Sequence, residues 1–198
     1  MSRLTINDKI IEVIGETDLL GVKISSDLSW KQNTKSLVTR AYTRLILLQK
    51  LFEFQVPQSD LVTVYKLFIR SILEQSCVVW HSSITKEEEA DIERVQKVCL
   101  KVILKGNYVS YEQSLQSTNL ITLVERRENL CLNFAKKCLD NEKTKHMFPL
   151  NSSTYSMPKR NEKYQKFQKE KYHVQHAKTE RLAKSAIPYL QRLLNKSS

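Results

Sequence analysis

The chain has 198 residues, with 32 Lys and Arg against 21 Asp and Glu, a formal net charge of +11. That length buries one good core with room for a tail, while three glycines and four prolines starve a many-stranded sheet of turns, so a mainly α-helical fold is expected. The charge is uneven, net −2 over residues 1–30, +5 over 31–150 and +8 over 151–198, which concentrates the excess in an arm suited to a polyanion.

Residues 3–24 alternate and break like short strands: Leu4 and Ile6, a turn near Asn7 and Asp8, Ile10 to Ile14, then Leu19 to Ile24. A few short strands are marginal alone, so residues 1–28 are expected as a hairpin or ribbon lying on helices, or as the edge of a larger sheet. Ser29-Trp30-Lys31-Gln32 has capping-box form, and Leu37, Ala41, Leu45, Leu48 and Phe52 make the apolar stripe of a helix that ends before Pro57.

Ser59 to Ile84 organises the rest. Its polar positions Thr63, Lys66, Arg70, Glu74 and His81 recur at helical spacing, leaving one narrow polar stripe on an otherwise apolar cylinder. This predicts one long buried helix of about 39 Å with other helices packed along most of it. The charges of Lys66, Arg70 and Glu74 argue against a membrane span.

Thr85-Lys86-Glu87-Glu88 is a second capping box, opening a helix to about Lys105 whose acidic start and basic end complement the helix dipole. Gly106 and Asn107 stop it, Ser110 caps a short helix, and Thr122 caps a longer one whose inner face is Leu123, Leu130, Phe134 and Cys138. Residues 29–140 therefore read as a helical bundle, with Trp30, Leu45, Leu48, Leu61, Tyr65, Phe68, Ile72, Trp80, Leu130 and Phe134 as its expected core. From Asn141 apolar residues thin out, Pro149 and Pro158 interrupt, and Tyr155, Tyr164, Phe167 and Tyr172 stand among lysines. Residues 141–180 read as a basic linker and partly ordered arm, and 181–198 as a docking helix through Leu182, Ala186, Leu190, Leu193 and Leu194, kinked by Pro188.

Cys77, Cys99, Cys131 and Cys138 lie 22, 32 and 7 residues apart, with no Cys-x-x-Cys pair and no secretory leader. They read as reduced, buried thiols of an intracellular protein, cytoplasmic or nuclear, not a secreted one. Cys77 and His81 have the spacing of a thiol and a base on one helix, yet no third group is evident, so a buried Cys beside a helix-end His is expected. His173 and His176 could face one metal, but two ligands make a weak site. No metal, cofactor or catalytic residue is expected.

Three sets of residues suit nucleic acid. Arg94, Lys97, Lys101 and Lys105 share one helical face, and Lys35, Arg40 and Arg44 form a second set on the first helix. Both would meet phosphates, which position a duplex without reading its sequence; the competing reading is a solvated helix surface. Lys159, Arg160, Lys163, Lys166, Lys169 and Lys171 interleave with Tyr164, Phe167 and Tyr172, a pattern in which aromatics stack on bases while cations follow the backbone; the competing reading is a solubilising tail.

Several stretches are similar to a known family. Leu20-Gly21-Val22-Lys23-Ile24-Ser25-Ser26-Asp27-Leu28-Ser29-Trp30 resembles the signature that follows the palm in reverse transcriptases of non-LTR retrotransposons, the Jockey and CR1-like group. Leu67-Phe68-Ile69-Arg70-Ser71-Ile72-Leu73-Glu74 with Val79-Trp80-His81, then Ile92-Glu93-Arg94-Val95-Gln96-Lys97, then Leu123 to Leu132 with Glu125-Arg126-Arg127, resemble that family's next motifs in order. The likeness spans residues 15–139 and returns at 182–195, in Ser185-Ala186-Ile187-Pro188 and Arg192-Leu193-Leu194-Asn195.

It implies a last palm hairpin, a helical thumb and a C-terminal extension. The implied partners are RNA, an RNA–DNA hybrid or a DNA duplex, held by the backbone, and the rest of a retroelement enzyme. Gln75 stands where the family usually has Tyr. The paired metals of such a polymerase need an aromatic-x-Asp-Asp turn, and this sequence has no Asp-Asp; Asp8, Asp18, Asp27, Asp60, Asp91 and Asp140 are scattered singly. The fingers, catalytic palm and any endonuclease would precede Met1, so the chain alone is expected not to polymerise.

Two further readings stand beside it. One is an α-helical protein-interaction module with a solubilising basic tail. The other rests on a similarity of Leu20 to Ser83 to a segment preceding AlkB-type dioxygenases and tRNA methyltransferases. Their chemistry needs His-x-Asp iron ligands or a glycine-rich cofactor loop, whereas His81, His146, His173 and His176 lack that Asp and Gly15, Gly21 and Gly106 are isolated.

Overall fold

The computed structural model describes residues 5–6, 9–10, 13–151 and 171–197. It is mainly helical. At the N-terminal end β1 (Thr5–Ile6) pairs antiparallel with β2 (Lys9–Ile10), and β3 (Glu16–Leu19) with β4 (Val22–Ser25) in the register Glu16 to Ser25 through Leu19 to Val22. Leu20 and Gly21 form the two-residue turn of the second hairpin with φ of +50° and +78°, the left-handed backbone such turns require. A Cβ on Gly21 would also crowd Nε2 of Gln75 at 2.5 Å. Val22 is the buried residue of this hairpin, which leans on the first helix, where the Lys23 amide donates to Oδ1 of Asn33 at 3.2 Å.

Helix α1 (Lys31–Glu53) buries Leu37, Ala41, Leu45 and Leu48 of the expected stripe, leaves its last member, Phe52, partly buried, and ends before Pro57. Its start differs from the capping box expected at Ser29. Trp30 occupies the N-cap with no side-chain bond, because the Ser29 amide and hydroxyl join a loop network with Ser25 and Asp27 instead. That network holds the Asp27 carboxyl down to about 2, chiefly through the Ser25 hydroxyl.

The long central helix is not continuous. The chain runs through α2 (Gln58–Val64), a π-helical turn (Tyr65–Arg70) and α3 (Ser71–Glu74), breaks at Gln75 and Ser76, and resumes as α4 (Cys77–Trp80) with a 3-10 turn (His81–Ser83). Ser76 takes the left-handed conformation at φ +51°, and the Trp80 indole donates to the Gln75 carbonyl at 2.9 Å, closing the corner. The inner positions Leu61, Tyr65, Ile69 and Leu73 recur every four residues, so each step on a regular α-helix would drift by about 40°. The wider π turn absorbs that drift. It also turns Phe68 outward, 49% exposed beside Leu67 at 63%, so Phe68 is not a core residue.

Helix α5 (Lys86–Leu104) packs along α1 and carries the reciprocal capping box expected at Thr85 and Glu88. A 3-10 turn (Lys105–Asn107), α6 (Tyr111–Ser117) and α7 (Leu123–Asp140) follow, with Ser110 and Thr122 capping α6 and α7 as expected. A buried polar chain ties these elements together: the Tyr65 hydroxyl donates to Oε1 of the fully buried Gln96, whose Nε2 donates to Tyr111 Oη at 2.8 Å and to the Ile121 carbonyl at 2.9 Å. Of the other expected core residues, Leu45, Leu48, Leu61, Tyr65 and Trp80 are buried, and Trp30, Ile72 and Leu130 are partly buried against the core.

The inner face of α7 is Leu123, Arg127, Cys131, Ala135 and Cys138. The expected face through Leu130 and Phe134 is rotated, because the helix steps inward by four residues from Leu123 to Ala135 and leaves Phe134 44% exposed. After α8 (Glu142–Lys145), Phe148 and Tyr172, which fall in the stretch read as linker, are buried in a second cluster with Cys131, Ala135, Cys138, Leu190 and Leu194. Helices α9 (Glu180–Lys184) and α10 (Ala186–Lys196) are separated at Ser185, so Pro188 lies in the first turn of α10, where its missing N–H costs nothing, and kinks no helix. All four cysteines are free and buried, as expected. Among the described residues no helix is long and apolar enough to cross a membrane.

Candidate nucleic-acid interface

On α5 the exposed side chains of Lys97 and Lys101 lie one helical turn apart, about 6 Å along the axis, and Lys105, also exposed, follows at the C-cap, where the backbone leaves the helix at φ +42°. Each ammonium stands over an aromatic ring: Lys97 over Tyr111 at 4.8 Å, Lys101 over Tyr108 at 5.5 Å and Lys105 over Phe52 at 4.9 Å. The rings come from α6, the loop before it and α1, so three separate segments align the row. A ring beneath each lysine narrows its rotamers and leaves the outer side of the ammonium open to phosphate, without pairing the charge. Arg94 does not join them. It pairs with Asp91 at 2.6 Å, on the acidic half of the helix.

The second expected set is dispersed. Arg40 donates to Oε1 of Gln75 at 3.2 Å and so ties α1 to the break in the central helix. Arg44 is exposed, and Lys35 sits at the opposite end of α1 from Phe52, in a cleft shared with Glu87 and Glu88. Lys159, Arg160, Lys163, Tyr164, Lys166, Phe167 and Lys169 lie outside the described residues, while Tyr172 of the same set is buried in the second cluster with Lys171 over its ring at 5.4 Å, so it is not free to stack on a base.

Residues noticed in the sequence only as pieces of separate motifs meet in one network. Oε1 of Glu74 accepts from Nε of Arg126 at 3.1 Å, while Nε of Arg70 lies 3.2 Å from the same oxygen in ionic contact without hydrogen-bond alignment. Next to them Arg127, 0% exposed, donates through Nε to Nδ1 of His81 at 3.2 Å and lies 5.7 Å from the centre of the Trp80 ring. Its two terminal nitrogens have no hydrogen-bond partner. Burial lowers its pKa, while Glu93 and Glu89 oppose that loss of charge. Hydropathy alone gives no reason to bury Arg127; the signal that could have found it is its i+4 position between Leu123 and Cys131.

This geometry leaves no thiol–imidazole pair. Burial and the Arg127 charge hold His81 down to about 4, so its ring is neutral, and its Nδ1 is taken by the guanidinium. The thiol of Cys77 has Cys131 as its hydrogen-bond neighbour instead, and that contact lowers it while raising Cys131. His173 and His176 lie on a stretch without regular secondary structure and not on one helical face, and among the described residues no three of His, Cys, Asp and Glu gather to hold a metal. Compared with known proteins, the chain matches no protein family, no curated protein and no solved structure.

Proposed function

We propose that this chain is the region after the palm of a non-LTR retrotransposon reverse transcriptase, a thumb-like bundle that holds the backbone of an RNA–DNA or DNA duplex and performs no catalysis itself. The observation that carries the reading is the row of Lys97 and Lys101 on α5 and Lys105 at its C-cap, three exposed ammonium groups each braced by a ring and none in an ion pair among the described residues. A row of point charges without base-reading side chains suits a polymerase part that must hold any sequence. The resemblance supports it as well. Arg70, Glu74, Trp80, His81, Arg126 and Arg127, all within its motifs, form one joint between the central segment and α7. As a structural joint, that network supplies a reason for those residue types to occur together without assigning them chemistry.

The test is binding of an RNA–DNA hybrid to the full chain between about 50 and 200 mM salt, comparing wild type with Lys97→Gln, Lys101→Gln and Lys105→Gln combined. Each lost phosphate contact removes roughly 0.9 from the slope of log K against log salt. The triple variant should therefore be shallower by roughly 2 to 3, and at low salt weaker by more than tenfold. A wild-type slope retained by the triple variant, or no hybrid binding at about 50 mM salt, overturns the reading.

A further inference from the structure

Away from the lysine row, a cleft of about 880 Å³ opens where the starts of α1 and α5 meet the Glu180–Ala186 segment. Its floor is apolar, made by Trp30, Val38 and Val79. Its two long walls carry opposite charges. The α1 wall brings Lys31 and Lys35, neither of them in an ion pair among the described residues, to a helix start with no side-chain cap and no acidic residue in its first turn. The α5 wall brings Glu87, Glu88 and Asp91, the last paired with Arg94; at the remaining sides Glu180 pairs with Lys184, Arg181 adds a cation, and Asp27 is taken up by Ser25 and Ser29.

Each wall also holds one buried polar atom without a partner. On the basic wall it is Oγ1 of Thr34, a residue 3% exposed. On the acidic wall it is Oε1 of Glu88, whose other oxygen is occupied by the Thr85 amide. A hydroxyl can donate to an anion, whereas a carboxylate oxygen can only accept, from a cation or an N–H. The orphaned carboxylate oxygen therefore asks for a cation or an N–H, and the Thr34 hydroxyl, which can donate or accept, takes its partner's sign from Lys31 and Lys35 beside it.

We propose that this cleft docks a short segment of a partner polypeptide in which an apolar anchor is flanked by an acidic residue on one side and a Lys or Arg on the other. The acid end meets Lys31, Lys35 and Thr34, the anchor covers Trp30 and Val79, and the basic end meets Glu87 and Glu88. The volume lies within the range of clefts that enclose drug-sized ligands, so the occupant is a few residues long and not a folded face. A nucleic-acid strand is disfavoured because Glu87 and Glu88 repel phosphate along a whole wall. The proposal is independent of the lysine row on α5 and stands or falls separately from it.

The experiment uses the full chain and the emission of Trp30, since Trp80 is fully buried elsewhere. The probes are blocked pentapeptides with a Leu-Phe-Leu centre and end residues Glu and Lys in both orders, Glu at both ends, or Lys at both ends, plus an oligothymidylate. One of the mixed peptides should shift Trp30 emission saturably and bind at least tenfold more tightly than either single-sign peptide. Thr34→Val and Glu88→Gln should each weaken it by several-fold, while leaving thermal unfolding near wild type, because Val matches the shape of Thr and Gln can serve in a capping box. The triple lysine variant should bind it unchanged. The proposal is overturned if no mixed peptide binds at about 1 mM, if all peptides bind alike and neither substitution matters, or if the oligothymidylate takes the site.

Discussion

The cluster between α1, α2 and α5 draws Leu37, Leu48, Leu61, Leu100 and their neighbours from helices that follow one another closely, whereas the cluster beneath α10 gathers Cys131, Phe148, Tyr172 and Leu190 from distant parts of the chain. The first is filled mainly by large aliphatic side chains, with Ala41, Cys77 and Cys99 among them and the amide of Gln96 beside them. The second contains small ones, Ala135, Cys131 and Cys138, and is stitched by amides: Gln191 donates to the Met147 carbonyl at 2.8 Å and accepts from the Gln175 amide at 2.7 Å, and Asn195 exchanges two bonds of 2.8 Å with the Tyr172 backbone. Where apolar volume is scarce, directional bonds fix the docking geometry, and a loss in one place should remain local. Trp80 and His81 stand between the clusters, the indole buried in the first and the imidazole edge-on to Tyr189 of α10 at 5.9 Å.

That contrast can be broken most severely at Trp80. Trp80→Ala removes the largest buried side chain and the indole bond that closes the corner at Gln75, and should cost about 4 kcal/mol in urea unfolding, with α10 lost along with the rest. Acid acts next. The folded His81 is held down to about 4 against 6.5 for a free imidazole, so the unfolded chain binds the proton first as pH falls. This contribution, on the order of 3 kcal/mol, is fully present above pH 6.5 and is lost as pH drops toward about 4; denaturant midpoints across that interval should fall in wild type and flatten in His81→Gln. The smallest effect sharpens the comparison. Leu190→Ala should cost about 2 kcal/mol and speed amide exchange in α10, while the amides of α1 and α5 keep their protection.

Local rules were enough where a single turn decides the outcome. Thr85, Ser110 and Thr122 each cap their helix because Ser or Thr three residues before Glu or Gln satisfies an amide within one turn. Ser29 has the same form and does not cap, since Ser25 and Asp27 engage it first, a competition visible only once the loop has folded. The corner at Gln75 and Ser76 has neither glycine nor proline to announce it; tertiary bonding of the Trp80 indole outweighs helix propensity there. Phe68 and Phe134 turn outward against expectation for one reason: a stripe read at mixed steps of three and four does not distinguish a face that advances steadily by four. The lysine row on α5 was legible from spacing, while Phe52, Tyr108 and Tyr111 beneath it come from three segments whose meeting no local pattern encodes.

One side chain touches three parts of the molecule. The carboxamide of Gln75 sits under the Gly21 tip of the hairpin and receives the Arg40 guanidinium of α1, while its own backbone carbonyl is the one the indole closes. Gln75 thus adds, to the Lys23–Asn33 bond and the shared core, a contact that reaches ribbon, first helix and elbow at once. Because packed interiors shift in steps and do not stretch, a tilt of the ribbon presses on the elbow at this residue.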